Sequence, residues 1–593
     1  MTVEDPSRST RGNIPAPKGK RCPLRLLPWA DCESQQQEIY RSVCHYLEPP
    51  GQDAEQLFLP RITLKGFGQA LARHLSSEKD LEGYEHFGVE IHVRDIIAAL
   101  CKKPDARDEF HLSDGVTFDN HANSLEPPQV SQSPEGSPSR PSRPDQFCIR
   151  RGDSDSILTT VEYKPPHKLS VENIRSGLRP MDFWEEVVAP DFVPTQEEEK
   201  LRYNAARLTG SALVQEFHVM IQQGLEYSYL TNGLALVLLR VPYDDPTTLY
   251  YHLCEPNMEV NPEDDHSFQL PVTSIARVLC LCLMSSRSTT RDQDWRNNAR
   301  LLLPIWTTSF DYEHSQIPVA ELRKIPPDAQ YIPPASTSSS SVQESARHAD
   351  TGHAPSYQNQ HHQAQFCTQK CLLSLKQGGL LDEHCPNVTL HRKGESGSRH
   401  LIKAETLVQL IKRQLDDDID DCTPMGRCGA SGAPFKITCA AYGYTVVGKG
   451  ITTYLWNEVS READIYHILS QVQGLVVPVF LGAIDMDKIY FLDRAGEIEH
   501  MLLMAWAGKP ISKTEATSPD ISSSISKAVK KIRSLGVLHQ DLRVENLLWN
   551  DELRRVMIID FHCSVLDRQL MKKRPRKTSC GEDTRQQQRH RLV

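Results

Sequence analysis

One stretch constrains this chain more than any other. It is His539-Gln-Asp541-Leu-Arg543-Val-Glu-Asn546, followed by Val556-Met-Ile-Ile559-Asp560-Phe561. An apolar run that ends in an acid predicts a buried strand presenting Asp560 at its tip. Asp541, Asn546 and Asp560 stand at spacings that phosphoryl transfer uses. Asp541 suits orienting a hydroxyl, and Asn546 and Asp560 suit holding Mg²⁺ against a polyphosphate.

The other parts of an ATP site lie upstream in order. Gly426-Arg-Cys-Gly429-Ala-Ser-Gly432-Ala-Pro-Phe435 is glycine-rich, and glycines let backbone approach phosphate oxygens. Gly429 and Gly432 fit the usual G-x-G-x-x-G spacing, whereas Arg427 stands where another glycine belongs. Tyr444-Thr-Val-Val-Gly-Lys449 reads as a strand ending in lysine. Ser460-Arg-Glu462-Ala-Asp-Ile-Tyr-His-Ile-Leu469 has helical spacing, so Glu462 is the expected ion-pair partner of Lys449, with Glu458 as its rival. Val477-Pro-Val-Phe-Leu481 and Met501-Leu-Leu-Met504 read as later strands. Ala505-Trp-Ala507-Gly508 is the expected hinge, whose backbone groups meet adenine.

In this order the motifs resemble a protein-kinase-like domain. The resemblance is close to the kinase-like domains of a large filamentous-fungal family. It rests on Gly443-Tyr-Thr-Val-Val-Gly-Lys449, Gly536-Val-Leu-His-Gln-Asp-Leu-Arg543 and Asn546-Leu-Leu-Trp-Asn550. Glu162-Tyr-Lys-Pro-Pro-His-Lys168 and Val241-Pro-Tyr-Asp-Asp-Pro246 extend it to the N-terminal half. The resemblance implies ATP and Mg²⁺ as ligands and transfer of the γ-phosphate to a protein serine or threonine. It puts Arg543 where such kinases have a phosphate-contacting lysine. The substrate stays unnamed.

Three departures favour a competing reading, a nucleotide-binding scaffold that regulates the N-terminal domain. Gln540 replaces the arginine that receives an activation-loop phosphate. His562 replaces the glycine after Asp-Phe. The chain given ends 33 residues after Asp560, which predicts a short C-lobe. The expected fold class is α+β, a kinase-like domain preceded by a mixed α/β domain.

With 593 residues, 39% hydrophobic and 24% charged, the chain has material for two to four cores. The net charge of −10 gives no global pull towards nucleic acid. No apolar stretch reaches about 18 residues, so no membrane partner is expected and the location is intracellular, nuclear or cytoplasmic. The 16 cysteines are scattered, as thiols or metal ligands in a reducing compartment. Low-complexity stretches divide the sequence. They predict a disordered tail over 1–29, a mixed α/β domain over 30–325 with a Pro/Ser-rich loop over 127–144, and a disordered linker over 326–366. A kinase-like domain over 367–570 and a basic tail over 571–593 follow. The acidic run Asp416–Asp421 reads as a solvated connector.

The N-terminal half carries a quieter signal. Asp145-Gln-Phe-Cys-Ile-Arg150 and Leu158-Thr-Thr-Val-Glu162-Tyr-Lys164 read as neighbouring strands, and alternation puts Glu162 and Lys164 on one face. An acid beside Glu-x-Lys resembles the PD-(D/E)xK nuclease fold, which implies Mg²⁺ on the carboxylates and contact with nucleic acid. A helix holding Gln215, the turn Thr231-Asn-Gly233 and the buried run Leu234–Arg240 suit that resemblance.

Cys367-x₃-Cys371-x₁₃-Cys385-x₅-His391 supplies four candidate Zn²⁺ ligands, at looser spacing than usual. Cys280 and Cys282 fall in a buried helical pattern and are assigned no chemistry. Lys572-Lys-Arg-Pro-Arg-Lys577 is a basic cluster suited to nuclear import or weak phosphate contact.

Overall fold

A computed structural model of the chain describes residues 2–3, 14, 16–48, 60–71, 74–75, 77–120, 144–153, 155–190, 192–261, 269–306, 324–331, 364–394, 396–426, 431–492 and 496–567. The chain divides into two compact units. The first comprises residues 1–354 with 427–430 and 488–498, and the second comprises the rest. Both mix helices and sheets, so the class is α+β.

The first unit is built on a seven-stranded mixed sheet. Its strands are β1 (Arg25–Pro28), β2 (Val116–Asp119), β3 (Gln146–Arg150), β4 (Ser156–Tyr163), β5 (Tyr227–Thr231), β6 (Leu236–Arg240) and β7 (Thr248–Cys254), in the order β1-β7-β6-β5-β4-β3-β2. β2, β3 and β4 form an antiparallel meander. Helix α5 (Glu197–Gln223) then carries the chain to β5, which pairs parallel to β4 with Glu162 opposite Leu230. Such a parallel pair requires a long crossover, and α5 supplies it.

The sheet is covered on both faces by α1 (Cys32–Leu47), α2 (Glu78–Glu85), α3 (Ile91–Leu100), α4 (Val171–Gly177), α5, α6 (Ser274–Arg287) and α7 (Gln293–Leu302). Alternation along the strands decides which face each side chain joins. Phe147, Ile149, Leu230 and Leu239 pack with Leu213, Phe217 and Met220 of α5. Cys148, Leu158, Val161 and Tyr229 join a second core with Val93 and Ile97 of α3 and Leu279 of α6. Each buried Val, Leu, Ile, Phe or Met among them stabilises by about 1.5–3 kcal/mol. Helix α5 opens on Glu197, Glu198 and Glu199, which suit the positive end of its dipole. It closes on Gly224 at φ +65°, where a Cβ would stand 2.7 Å from the Arg291 carbonyl. Cys280 and Cys282 are buried in α6, as expected.

The second unit begins with α8 (Gln369–Gln377), α9 (Val388–Arg392) and α10 (Ala404–Asp417). Strands β8 (Cys422–Pro424), β9 (Ala433–Thr438), β10 (Thr445–Thr452), β11 (Phe480–Leu492) and β12 (Gly496–Met504) form a sheet of order β8-β9-β10-β12-β11. Helix α11 (Thr453–Ile468) follows β10 without a loop. Then come β13 (Lys509–Pro510), α12 (Pro519–Ser534), β14 (Val537–Leu538), β15 (Leu547–Asn550), β16 (Arg555–Ile558) and β17 (Val565–Leu566). They form the sheet β13-β15-β16 and the ladder β14-β17.

Several boundaries differ from the sequence reading. Residues 14 and 16–29 hold tertiary structure rather than a free tail: Cys22 and Trp29 are buried and β1 pairs with β7. The first unit also extends past residue 325, because Asp328 pairs with Arg202 and the Ala329 carbonyl accepts from Arg175 at 3.0 Å. Asp416–Asp421 is not a connector. Asp416 closes α10 on Lys412 at 2.6 Å, and Ile419–Asp421 forms a 3₁₀ turn. The strand expected from Val477 starts at Phe480, and β10 runs three residues beyond Lys449. Most of the 127–144 loop, residues 332–363 of the linker and the basic tail with Lys572–Lys577 lie outside the described residues. Among the described residues no helix is long and apolar enough to cross a membrane.

Candidate functional site

In the second unit, the β-branched run of β10 fixes the direction of Lys449, and helix α11 returns Glu462 beneath it. The Lys449 ammonium lies 2.6 Å from Glu462 Oε2 and 2.6 Å from Asp560 Oδ1. Glu462 is fully buried, and its other oxygen has no hydrogen-bond partner. Glu458, the rival partner, is not in this contact. Asp560 follows β16 at φ +68°. Its Oδ1 also accepts from Ser431 Oγ at 2.8 Å and from His562 Nδ1 at 2.9 Å. Burial pushes the Asp560 carboxyl up, but the Lys449 ammonium and His562 outweigh burial and hold it well below its ordinary value. Burial pulls the Lys449 ammonium down, and the two carboxylates more than restore it. The lysine is therefore charged and the aspartate ionised.

The expected catalytic loop is held to the same strand end. His539 Nε2 donates to the Ile559 carbonyl at 2.9 Å, while its Nδ1 accepts from the Asp541 N–H at 3.2 Å. Phe561 is buried edge-on against His539 and Tyr466. Asn546 Nδ2 donates to the Asp541 carbonyl at 2.8 Å and to its carboxylate at 3.2 Å. Oδ1 is thus the atom with which Asn546 would meet a cation. Arg543 does not point free into the site, because it pairs with Asp541 Oδ2 at 2.7 Å.

At the end of β12, Ala505 donates its N–H to Val479 and Ala507 gives its carbonyl to Asn550. The Ala505 carbonyl and the Ala507 N–H are what this segment offers a planar ring. Gly432 is needed for close approach: a Cβ there would lie 2.9 Å from the Gly450 carbonyl and 3.0 Å from the Lys449 side chain. Gly429 lies outside the described residues. Ser431 and His562 as partners of Asp560 were not legible beforehand. His562 was visible only as a departure from glycine.

The first unit gathers a second polar centre where β3, β4 and α5 meet. Lys164 is hydrogen-bonded to Glu162 and lies 4.0 Å from Asp145, whose carboxylate accepts from the Tyr163 N–H at 2.7 Å. Glu162 and Lys164 are both buried. Glu216 of α5 is buried and takes hydroxyl donations from Thr160 and Ser228, while its second oxygen has no partner. Sequence reasoning named its neighbour Gln215 and missed Glu216. An acid on an otherwise apolar helix face was the available signal. Burial pushes the Asp145 and Glu216 carboxyls up to about 7, and it raises Glu162 as well. Burial lowers Lys164, but the Glu162 and Asp145 charges more than offset it, so the lysine is raised.

Cys367, Cys371, Cys385 and His391 also converge. All are buried in the second unit, with one ligand atom of each within 4.8 Å of the others.

The family model of the Spore killer 2 N-terminal domain matches residues 137–297, which include Asp145, Glu162, Lys164 and Glu216. Over 637 aligned residues the chain is 31% identical to Meiotic driver SPOK2 of Podospora anserina, covering 92% of this chain and 80% of that protein. The chain belongs to the SPOK2 family. A more local similarity, 36% over 115 residues, links 18% of the chain to 23% of Calcium-dependent protein kinase 27 of Arabidopsis thaliana. The fungal affinity read from the sequence is thus that of the SPOK2 family. Likeness to a kinase from outside it spans a much smaller part of the chain.

Proposed function

We propose that the second unit is a protein-kinase-like module with a short C-lobe. It binds Mg-ATP and transfers the γ-phosphoryl group to a protein hydroxyl. The observation that carries this reading is the Lys449 ammonium held between Glu462 and Asp560 at 2.6 Å each, with Asp541 and Asn546 tied to the same strand end. Glu462 would orient Lys449 on phosphate oxygens. Asp541 would accept the hydroxyl proton as the new O–P bond forms and the bond to the ADP oxygen breaks. Asp560 and Asn546 have the oxygen donors for Mg²⁺, which neutralises phosphate charge when bound. Full-length protein with Mg-ATP, assayed for thermal shift and for γ-phosphate transfer to itself and to a basic protein, tests the reading. Transfer lost in both Asp541→Ala and Asp560→Ala supports it. Binding that needs Asp560, without transfer, makes the unit a nucleotide-regulated scaffold. The Arg543–Asp541 pair and the His562–Asp560 contact favour that second reading.

We also propose that the first unit is a PD-(D/E)xK nuclease-like domain acting on nucleic acid. Support comes from the convergence of Asp145, Glu162, Lys164 and Glu216 on a sheet whose β3–β4–α5–β5 path brings them together. DNA cleavage by the full chain with Mg²⁺ or Mn²⁺ tests it. Cleavage unchanged in Glu162→Ala and Lys164→Ala would sink the assignment. The kinship with a protein named as a meiotic driver makes drive the proposed biological setting.

A further inference from the structure

We propose that Cys367, Cys371, Cys385 and His391 bind one structural zinc ion. The four ligands come from separate places in the chain. Cys367 lies before α8, Cys371 in its first turn, Cys385 in the turn that follows Asp382, and His391 in α9. They meet at one buried point. Cys367 Sγ and Cys385 Sγ lie 3.5 Å and 3.3 Å from His391 Nε2. A tetrahedral zinc with Zn–S of about 2.3 Å and Zn–N of about 2.0–2.1 Å sets its S···N edges near 3.5–3.6 Å. The observed spacings match that tetrahedron to within a few tenths of an ångström.

The surroundings prepare the ligands. His391 Nδ1 donates to the Tyr442 carbonyl at 2.8 Å, which fixes the proton on Nδ1 and turns the Nε2 lone pair on the sulfurs. Tyr444 stacks on the imidazole at 3.9 Å and holds its plane. The Thr445 N–H at 3.3 Å and Asn387 Nδ2 at 3.5 Å donate to Cys367 Sγ. Such N–H···S donations stabilise a thiolate. Buried thiols that only filled space would need neither a fixed imidazole acceptor nor amide donors on sulfur. Three sulfurs and one nitrogen in a closed, buried set fit a structural zinc site rather than a catalytic one with an open position. The ion would tie the segment around α8 and α9 to Tyr442, Tyr444 and Thr445, and so to the start of the strand that carries Lys449.

The test is elemental analysis of full-length protein purified without chelator, followed by exchange into Co²⁺. One zinc per chain is expected, and the cobalt form should show intense visible bands of tetrahedral coordination with sulfur-to-metal charge transfer. Cys385→Ser should lose the bound metal. His391→Cys, which keeps four soft ligands, should retain it. A folded wild-type chain without stoichiometric zinc, an iron–sulfur chromophore, or a disulfide between any two of the three cysteines would overturn the proposal. The wild-type measurement decides the matter even where a variant fails to fold.

Discussion

Replacing Lys449 by Met takes the cation from two carboxylates, one of them fully buried, and predicts a loss of stability before any question of activity. Glu462 is fully buried, and Lys449 is its hydrogen-bond donor on Oε2, while Oε1 has none. The substitution leaves a desolvated carboxylate without its cation. Removing one partner of such a pair costs about 3–5 kcal/mol. Asp560 is spared the full cost because Ser431 and His562 still donate to it. At about 2–4 °C per kcal/mol for a unit of this size, the second unit should melt about 6–20 °C lower. Lys449→Met with Glu462→Gln replaces the stranded charge by an amide, whose unmet hydrogen bonds cost only about 1–3 kcal/mol. The double variant should therefore be more stable than Lys449→Met alone. Calorimetry of the full chain gives the transitions, and hydrogen exchange of β10 and α11 assigns the one that moves. If Lys449→Met shifts that transition by less than about 1 kcal/mol, or the double variant is no better, the Lys449–Glu462 pair does not hold this unit together.

In the first unit the folded state keeps a proton on Glu216 up to about pH 7, where the unfolded chain has released it near the ordinary 4.5. That stabilisation is present below the ordinary value and is lost as pH rises to about 7, so Glu216→Gln should flatten the melting temperature of this unit between those limits. Asp560 has the opposite sign. Its depressed carboxyl contributes stability above its ordinary value near 3.8 that is lost on further acidification, and Asp560→Asn should remove that acid limb from the second unit's stability profile. Gly432→Ala forces a Cβ to 2.9 Å from the Gly450 carbonyl and should cost about 1–3 kcal/mol while weakening Mg-ATP binding, read by thermal shift with and without nucleotide. A strong zinc chelator should lower the melting temperature of the second unit by several degrees and leave the first unit's transition in place.

The second unit was the more legible in sequence because its polar residues sit at the ends of strongly patterned elements. The β-branched run before Lys449 and the apolar run before Asp560 both fold as strands, and the helical spacing around Glu462 returns it to the lysine. What escaped was set by tertiary packing. Ser431 reaches Asp560 from 129 residues away, and His562, two residues on, turns back to it only because of the backbone's course after β16. Glu216 was hidden for a similar reason. It sits in a helix buried along most of its length, where amphipathic patterning is weak, and its role emerges only once β4 and β5 bring Thr160 and Ser228 to it. Residues 14–29 were misread because Pro and basic residues there resemble a tail, whereas β1 needs only four residues to pair with β7.

The two centres also differ in how their charge is balanced, and that difference predicts different responses to divalent cations. Lys449 bridges Glu462 and Asp560 from within the chain, and His562 also donates to Asp560, so the second centre is assembled before any ligand arrives. In the first unit Lys164 faces Glu162 and Asp145, Glu216 adds a third acid, and Lys20 acts on all three, so among the described residues two lysines are set against three acids. The shortfall is met by protons below about pH 7, as the raised Asp145 and Glu216 carboxyls indicate. A bound Mg²⁺ or Mn²⁺ would take the place of those protons. Its stabilisation of the first unit should therefore grow as pH rises past 7, because the competing protons leave, and it should shrink in Glu216→Gln. A cation effect on the first unit that is independent of pH and of Glu216 would mean that the ion binds elsewhere.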